Sequence, residues 1–215
     1  MTHTPKEELI KQGLLWRAEN TAITPRFRSF DDLLQHGTLH EWFALRVPVA
    51  ILAHLACEVI KRREGKLAFW IGEETWPSVY LLSYLLEDFD SEWQSSILPH
   101  FIFLNPRNAE DRFWALSTTL SSASVSVVVT TLGELNLNQS LQLTHRAKHS
   151  SAIALIGRKN SQINLPSTAK SRWLVTPLSN TKFPTWELKL LHMRGSKRQF
   201  STNLTIWERL GGLCI

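Results

Sequence analysis

Strand-like and helix-like stretches alternate along most of this chain, and the first turn between them lacks what such a turn needs to hold a phosphate. Thr38–Phe43 (TLHEWF) reads as a strand and leads to an apolar helix over Val49–Lys61. A further strand, Leu67–Ile71, closes on Gly72-Glu73-Glu74, and a very apolar one, Val125–Thr131 (VSVVVTT), comes later. This is the opening order of a nucleotide-binding α/β core. There the first strand–helix turn carries G-x-x-x-x-G-K-[ST], whose backbone amides and lysine hold phosphates. Here Ala44-Leu45-Arg46-Val47-Pro48 stands in that place, with no glycine, lysine, serine or threonine.

The remaining elements continue the alternation. Helical spacing predicts helices over Glu7–Ala18, Phe30–Gln35, Val79–Leu86, Ala109–Ser121 and Asn138–Lys148. Apolar runs predict strands at Phe101–Leu104 and Ser151–Ile156. Short connections between alternating units favour a mostly parallel sheet with helices on both faces. Arg172–Pro177 and Trp186–Met193 alternate apolar and polar residues, which predicts half-exposed antiparallel strands on one edge near the C-terminus. The expected organisation is an N-terminal helical segment (1–37), an α/β core (38–195) and a C-terminal tail (196–215).

Composition narrows the class. With 215 residues, 43% of them hydrophobic, the chain can bury one sizeable core. Its two cysteines, Cys57 and Cys214, are far apart and give neither a disulfide framework nor a metal-ligand spacing. The start, MTHTPKEELIKQ, has no apolar stretch of the signal-peptide kind, and no apolar run reaches about 18 residues. A cytoplasmic protein with no membrane contact is expected. The net charge of +5 is unevenly spread: residues 1–134 hold 12 Lys/Arg against 17 Asp/Glu, and residues 135–200 hold 11 against Glu187 alone. The second half therefore suits a polyanion or an acidic partner.

No catalytic set emerges. A hydrolase of this architecture needs a carboxylate after the Val125–Val129 strand to hold magnesium, and Thr130-Thr131 stand there instead. Glu73 and Glu74 occupy a position suited to a water-activating acid, but without the other parts they read as loop acids. The pairs His36/His40 and His145/His149 are four apart without a third ligand, G-x-S-x-G is absent, and Cys57 reads as a core residue. No cofactor and no metal are expected. Lys and Arg near strand and helix ends make Arg146, Lys148, Arg158, Lys159, Arg194, Lys197 and Arg198 candidate phosphate contacts. After Gly195, Leu204, Ile206, Trp207 and Leu210 form an apolar cluster on a basic tether, outside the expected sheet, and are candidates for partner docking.

The order of several short segments resembles the ImuA family, RecA/SulA-like accessory factors of bacterial error-prone translesion synthesis. The segments are Leu14-Leu15-Trp16-Arg17, Phe30-Asp31-Asp32-Leu33-Leu34 with Gly37-Thr38-Leu39-His40-Glu41, and Asn105–Leu116 (NPRNAEDRFWAL). Leu141-Gln142-Leu143, Ile153–Arg158 and Trp186–Leu190 with Arg194-Gly195 complete the series. The likeness runs from about Leu9 to Gly195. It implies a RecA-like core without a working phosphate loop and a non-catalytic role in the SOS response to DNA damage. The implied partners are a Y-family polymerase-like adaptor, an error-prone replicative-type polymerase reached indirectly, and a recombinase or DNA. It also implies a C-terminal tail used for partner binding. A SulA-like inhibitor of cell division, binding a tubulin-like GTPase, would share the same core.

Overall fold

The computed structural model describes residues 34–63, 66–87, 98–179, 181, 184–195 and 201–205. The helix expected over Glu7–Ala18, most of that over Phe30–Gln35, and Lys197, Arg198, Ile206, Trp207 and Leu210 lie outside the described residues. In chain order the elements are β1 (Thr38–Ala44), α1 (Val49–Lys61), β2 (Leu67–Ile71), α2 (Val79–Leu86), β3 (Phe101–Leu104) and α3 (Ala109–Thr119). Then follow β4 (Val125–Thr131), α4 (Leu137–Ser150), β5 (Ile153–Lys159), β6 (Ser171–Pro177), β7 (Thr185–Met193) and β8 (Ser201–Thr205).

The strands form one sheet in the order β3-β2-β4-β5-β1-β6-β7-β8. The first six run parallel, and β7 and β8 are antiparallel. Alternation along each strand sends side chains to two cores. Trp42, Val127, Val129 and Leu155 pack with α1 and α2 on one face; Leu39, Val128, Ala154 and Ile156 pack with α3 and α4 on the other. The expected mostly parallel sheet with helices on both faces and an antiparallel C-terminal edge is the sheet observed.

Helix starts follow their caps. Ser78 accepts from the Leu81 amide, and Asn108 accepts from the Asp111 amide at 2.8 Å. Asn136 and Gln139 cap each other reciprocally, which starts α4 at Leu137, one residue earlier than its apolar spacing suggests. Strand β5 runs past its expected end at Ile156, because β1 pairs with it as far as Ala44↔Lys159.

One departure concerns the tail. Ser201–Thr205 adds to β7 as an edge strand, with Leu204 opposite Trp186 and packed against the α1-side core. Leu204 thus belongs to the sheet, contrary to the expectation that placed it outside. The alternating β7 had left an open row of backbone donors and acceptors, and β8 satisfies them. Among the described residues, no helix is long and apolar enough to cross a membrane.

At the centre of the sheet Trp42 of β1 stacks on Trp173 of β6, with ring centroids 5.3 Å apart and planes 9° from parallel. Both rings are fully buried. The Trp173 indole N–H donates to Ser171 Oγ at 2.8 Å, whereas the Trp42 indole N–H is buried without a partner. Trp173→Phe is therefore expected to cost about 1 kcal/mol more than Trp42→Phe, since only the first change breaks a hydrogen bond. Urea unfolding of the two variants measures the difference, and equal losses would contradict the assignment.

Candidate functional site

The first four connections fix where a ligand could sit. α1 and α2 cross on one face of the sheet, α3 and α4 on the other. The chain thus changes side between neighbouring strands, and a crevice opens at their C-terminal ends. A cleft of about 650 Å³ lies there. It is bounded by the β1–α1 turn (Ala44 to Val47), Glu74 after β2, Arg112 in the first turn of α3, Thr131–Gly133 after β4 and Gly157–Lys159 on β5.

The β1–α1 turn is built against phosphate binding. Four residues, Leu45–Pro48, join the two elements, where the phosphate-loop motif needs about six before its lysine. Pro48 has no N–H to offer. The Val49 amide donates to the Val47 carbonyl at 2.9 Å, and those of Ile51 and Leu52 both turn to the Pro48 carbonyl at 3.0 Å. The amides that open a helix are its usual anion donors, and here three of them are used within the turn.

The opposite wall is closed by its own side chains. Arg112 Nη1 donates to Thr131 Oγ1 at 2.6 Å and to Glu74 Oε1, and Arg112 Nη2 donates to Glu74 Oε2 at 3.3 Å. Thr131 Oγ1 in turn donates to Glu74 Oε1. Thr130 Oγ1 donates to the Ile71 carbonyl at 3.0 Å and is spent between β4 and β2. Burial acts to raise the Glu74 carboxyl pKa, but the hydrogen bonds from Thr131 and its own backbone, with the Arg112 guanidinium, hold it below the ordinary value. Gly72 makes the contact possible. It sits at φ +95°, and a Cβ there would lie 2.9 Å from both Arg112 Cζ and Glu74 Oε2. These residues do not fit a magnesium–nucleoside triphosphate: the loop offers no lysine, β4 ends in hydroxyls, and Glu74 is bound to a guanidinium.

Arg158, expected at an exposed strand end, is instead a buried cation. Its guanidinium donates from Nη1 to Glu41 Oε1 at 2.7 Å and from Nε to Gln162 Oε1 at 3.1 Å. Arg172 Nε completes the cluster on Glu41 Oε2 at 2.9 Å, with its guanidinium 4.8 Å above the Phe43 ring. Arg146 is also engaged, donating to the Ser117 carbonyl and to Ser121 Oγ at 2.7 Å. Lys159 is exposed on the cleft. Lys148 and Arg194 are exposed at the other end of the sheet, where the strands begin. The expected phosphate contacts are therefore divided between the two ends of the sheet, with only Lys148 and Arg194 exposed at the same one. Sequence reasoning missed Arg112, although it stands in the NPRNAEDRFWAL segment, and missed Glu41, which an apolar strand context had hidden.

Burial pushes the Cys57 thiol up to about 12, as suits a core position. Among the described residues, no group of three or more His, Cys, Asp or Glu side chains could hold a metal ion.

No protein-family model matches the chain, and no well-characterised protein matches it in sequence. The crystal structure of the RadB recombinase is similar to it, with a TM-score of 0.62 and 13% identity, over 83% of this chain and 93% of that one. The fold is RecA-like. At this identity the likeness concerns the fold, and within that fold the cleft occupies the crevice at the strand ends.

Proposed function

We propose that this protein is a non-hydrolysing accessory factor of error-prone translesion DNA synthesis that binds a Y-family polymerase-like adaptor, in the manner of the ImuA proteins it resembles. The observation that carries the reading is a RecA-like sheet whose phosphate turn and magnesium position are filled by Pro48, Thr130 and the Arg112–Glu74–Thr131 network. A scaffold that keeps its strands and fills that site with internal contacts is suited to presenting surfaces rather than to turnover. The similarity to a recombinase structure supports the same DNA-linked setting.

The partner contact is assigned to Ile206, Trp207 and Leu210. Leu204 is left out, because it packs on the core. A pull-down with the polymerase-like adaptor, using the full chain and a form ending at residue 205, tests this. Loss of the adaptor on truncation is expected, since a few buried aromatic and aliphatic anchors carry most of a docking energy. Retention would sink the tail contact, and capture of a tubulin-like division GTPase in place of the adaptor would favour the SulA-like reading. Magnesium-dependent ATP turnover above background would overturn the non-hydrolysing role.

A further inference from the structure

The charge asymmetry of the sequence becomes, in the fold, an asymmetry between the two ends of the sheet. The C-terminal ends of the strands are mixed: Glu73, Glu74, Glu110, Asp111 and Glu134 lie there together with Arg46, Arg107, Arg112 and Lys159. The opposite end, where parallel strands begin and α1 and α4 finish, carries Arg63, Lys66, Lys148, Lys170 and Arg194. Among the described residues none of these five forms an ion pair with an acidic side chain. The acids described at this end, Glu58 and Glu87, are set aside from the row. Glu58 is engaged by Lys61 and Arg62, and Glu87 follows α2 towards the β3 edge.

Main-chain contacts hold the row in place. Lys66 immediately precedes β2. Arg63 donates to the Ser151 carbonyl, just before β5, at 2.8 Å. Lys148 lies against the turn before β1: Gly37 is at φ +70°, and a Cβ on it would stand 3.0 Å from Lys148 Cα. The Lys170 amide donates to the Leu39 carbonyl and the Arg194 amide to the Lys170 carbonyl, both at 2.8 Å. The Lys170 ammonium also donates to the Arg194 carbonyl at 3.1 Å. From β2 to β7 there are five strand intervals, so at about 4.8 Å each the row spans roughly 24 Å. Its field reaches neighbouring groups: the His36 imidazole pKa is lowered by burial first and then by Arg63 and Lys66.

We propose that this rim binds double-stranded DNA along its phosphate backbone, without reading base sequence. A pinned row of cations matches the regular phosphates of a duplex, which carries one charge per about 1.7 Å of axis. Single-strand binding uses aromatic platforms for the bases. The exposed aromatic side chains described, Trp76, Tyr80, Phe103 and Trp114, are on α2, α3, β3 and the loop after β2, away from this row. Membrane surfaces are held by several apolar side chains beside the cations; among the described residues Leu98, before β3, is the one large exposed apolar side chain at this end, and it lies beyond the Lys66 end of the row. The proposal stands apart from the translesion reading, since a rim that binds DNA needs no adaptor.

Fluorescence anisotropy of the full chain with a labelled 24-base-pair duplex of arbitrary sequence tests it. Five phosphate contacts predict a slope of log K against log salt of about −4.5. Lys148→Ala with Arg194→Ala, both exposed, should weaken binding tenfold or more and flatten the slope by about 1.8. Lys159→Ala, at the far end of the sheet, should leave both unchanged. An unchanged thermal midpoint shows the double variant folded. Equal affinity of the double variant, equal weakening by Lys159→Ala, or binding to phosphatidylserine vesicles without duplex binding would each overturn the proposal.

Discussion

Glu41→Ala is expected to lower the free energy of unfolding by about 3–5 kcal/mol. Glu41 is 1% exposed on β1 and joins three adjacent strands. It accepts from Arg158 of β5 and Arg172 of β6, one on each carboxylate oxygen. Without it, two guanidiniums lose their counter-charge, and that of Arg158 is left poorly solvated on the cleft wall: its side chain is 2% exposed and its Nη2 is already without a partner. Burial lowers the Arg158 pKa and Glu41 opposes that shift, so removing Glu41 also removes what favours the charged form. Arg172→Ala should cost less, because its side chain is 16% exposed and the Arg158–Glu41 pair survives. The triple change Glu41→Leu, Arg158→Met, Arg172→Leu should restore stability to near or above the starting level, since a well-packed apolar set avoids desolvating three charges. Urea midpoints at pH 7 read all three. A loss below about 1 kcal/mol for Glu41→Ala would mean that the cluster is solvated.

How far the sequence reached depends on whether the information is local. Element types were legible because they follow from periodicity and caps: the alternation in Trp186–Met193 and the apolar run Val125–Thr131 both became strands where expected. The missing phosphate loop was legible because it is a contiguous motif. The Glu41–Arg158–Arg172 cluster was not, because Glu41 is separated from Arg158 by 117 positions and from Arg172 by 131. Nothing near Arg158 in sequence distinguishes a buried cation from an exposed one at a strand end. Only the register Phe43↔Arg158, set by β1 pairing in the middle of the sheet, carries β5 far enough for Arg158 to be enclosed. The same reason hid the wall of the cleft, where α3, the loop after β2 and the end of β4 meet. Ser201–Thr205 escaped notice because its single apolar residue, Leu204, gives no periodicity to read; partner β7 makes it a strand.

Acidification is expected to destabilise the fold through His40, by about 2 kcal/mol between pH 7 and pH 5. The side chain is fully buried in β1, and its pKa is lowered from 6.5 to about 3, by burial first and by Lys170 second. Its hydrogen bonds define one neutral tautomer. The Thr38 hydroxyl donates to the Gln35 carbonyl, so it accepts from His40 Nε2–H at 2.8 Å. His40 Nδ1 is then an acceptor, and Ser171 Oγ–H donates to it at 2.7 Å while accepting the Trp173 indole N–H. A proton on Nδ1 would displace the Ser171 hydrogen from its acceptor and place a charge beside Lys170. Below the ordinary histidine pKa the unfolded chain takes up this proton and the folded one does not. Stability therefore falls as pH drops through 6.5, and the loss levels off near about 5 kcal/mol below pH 3. His36 and His54, both also lowered by burial, act in the same direction, so His40→Asn isolates the contribution. That variant should be weaker at pH 7, having lost fitted hydrogen bonds, yet lose about 2 kcal/mol less between pH 7 and pH 5. Urea midpoints at pH 7, 6 and 5 give both slopes. Parallel slopes would show that His40 takes up its proton in the folded state, and the hydrogen-bond chain from Gln35 to Trp173 would then have to tolerate an imidazolium.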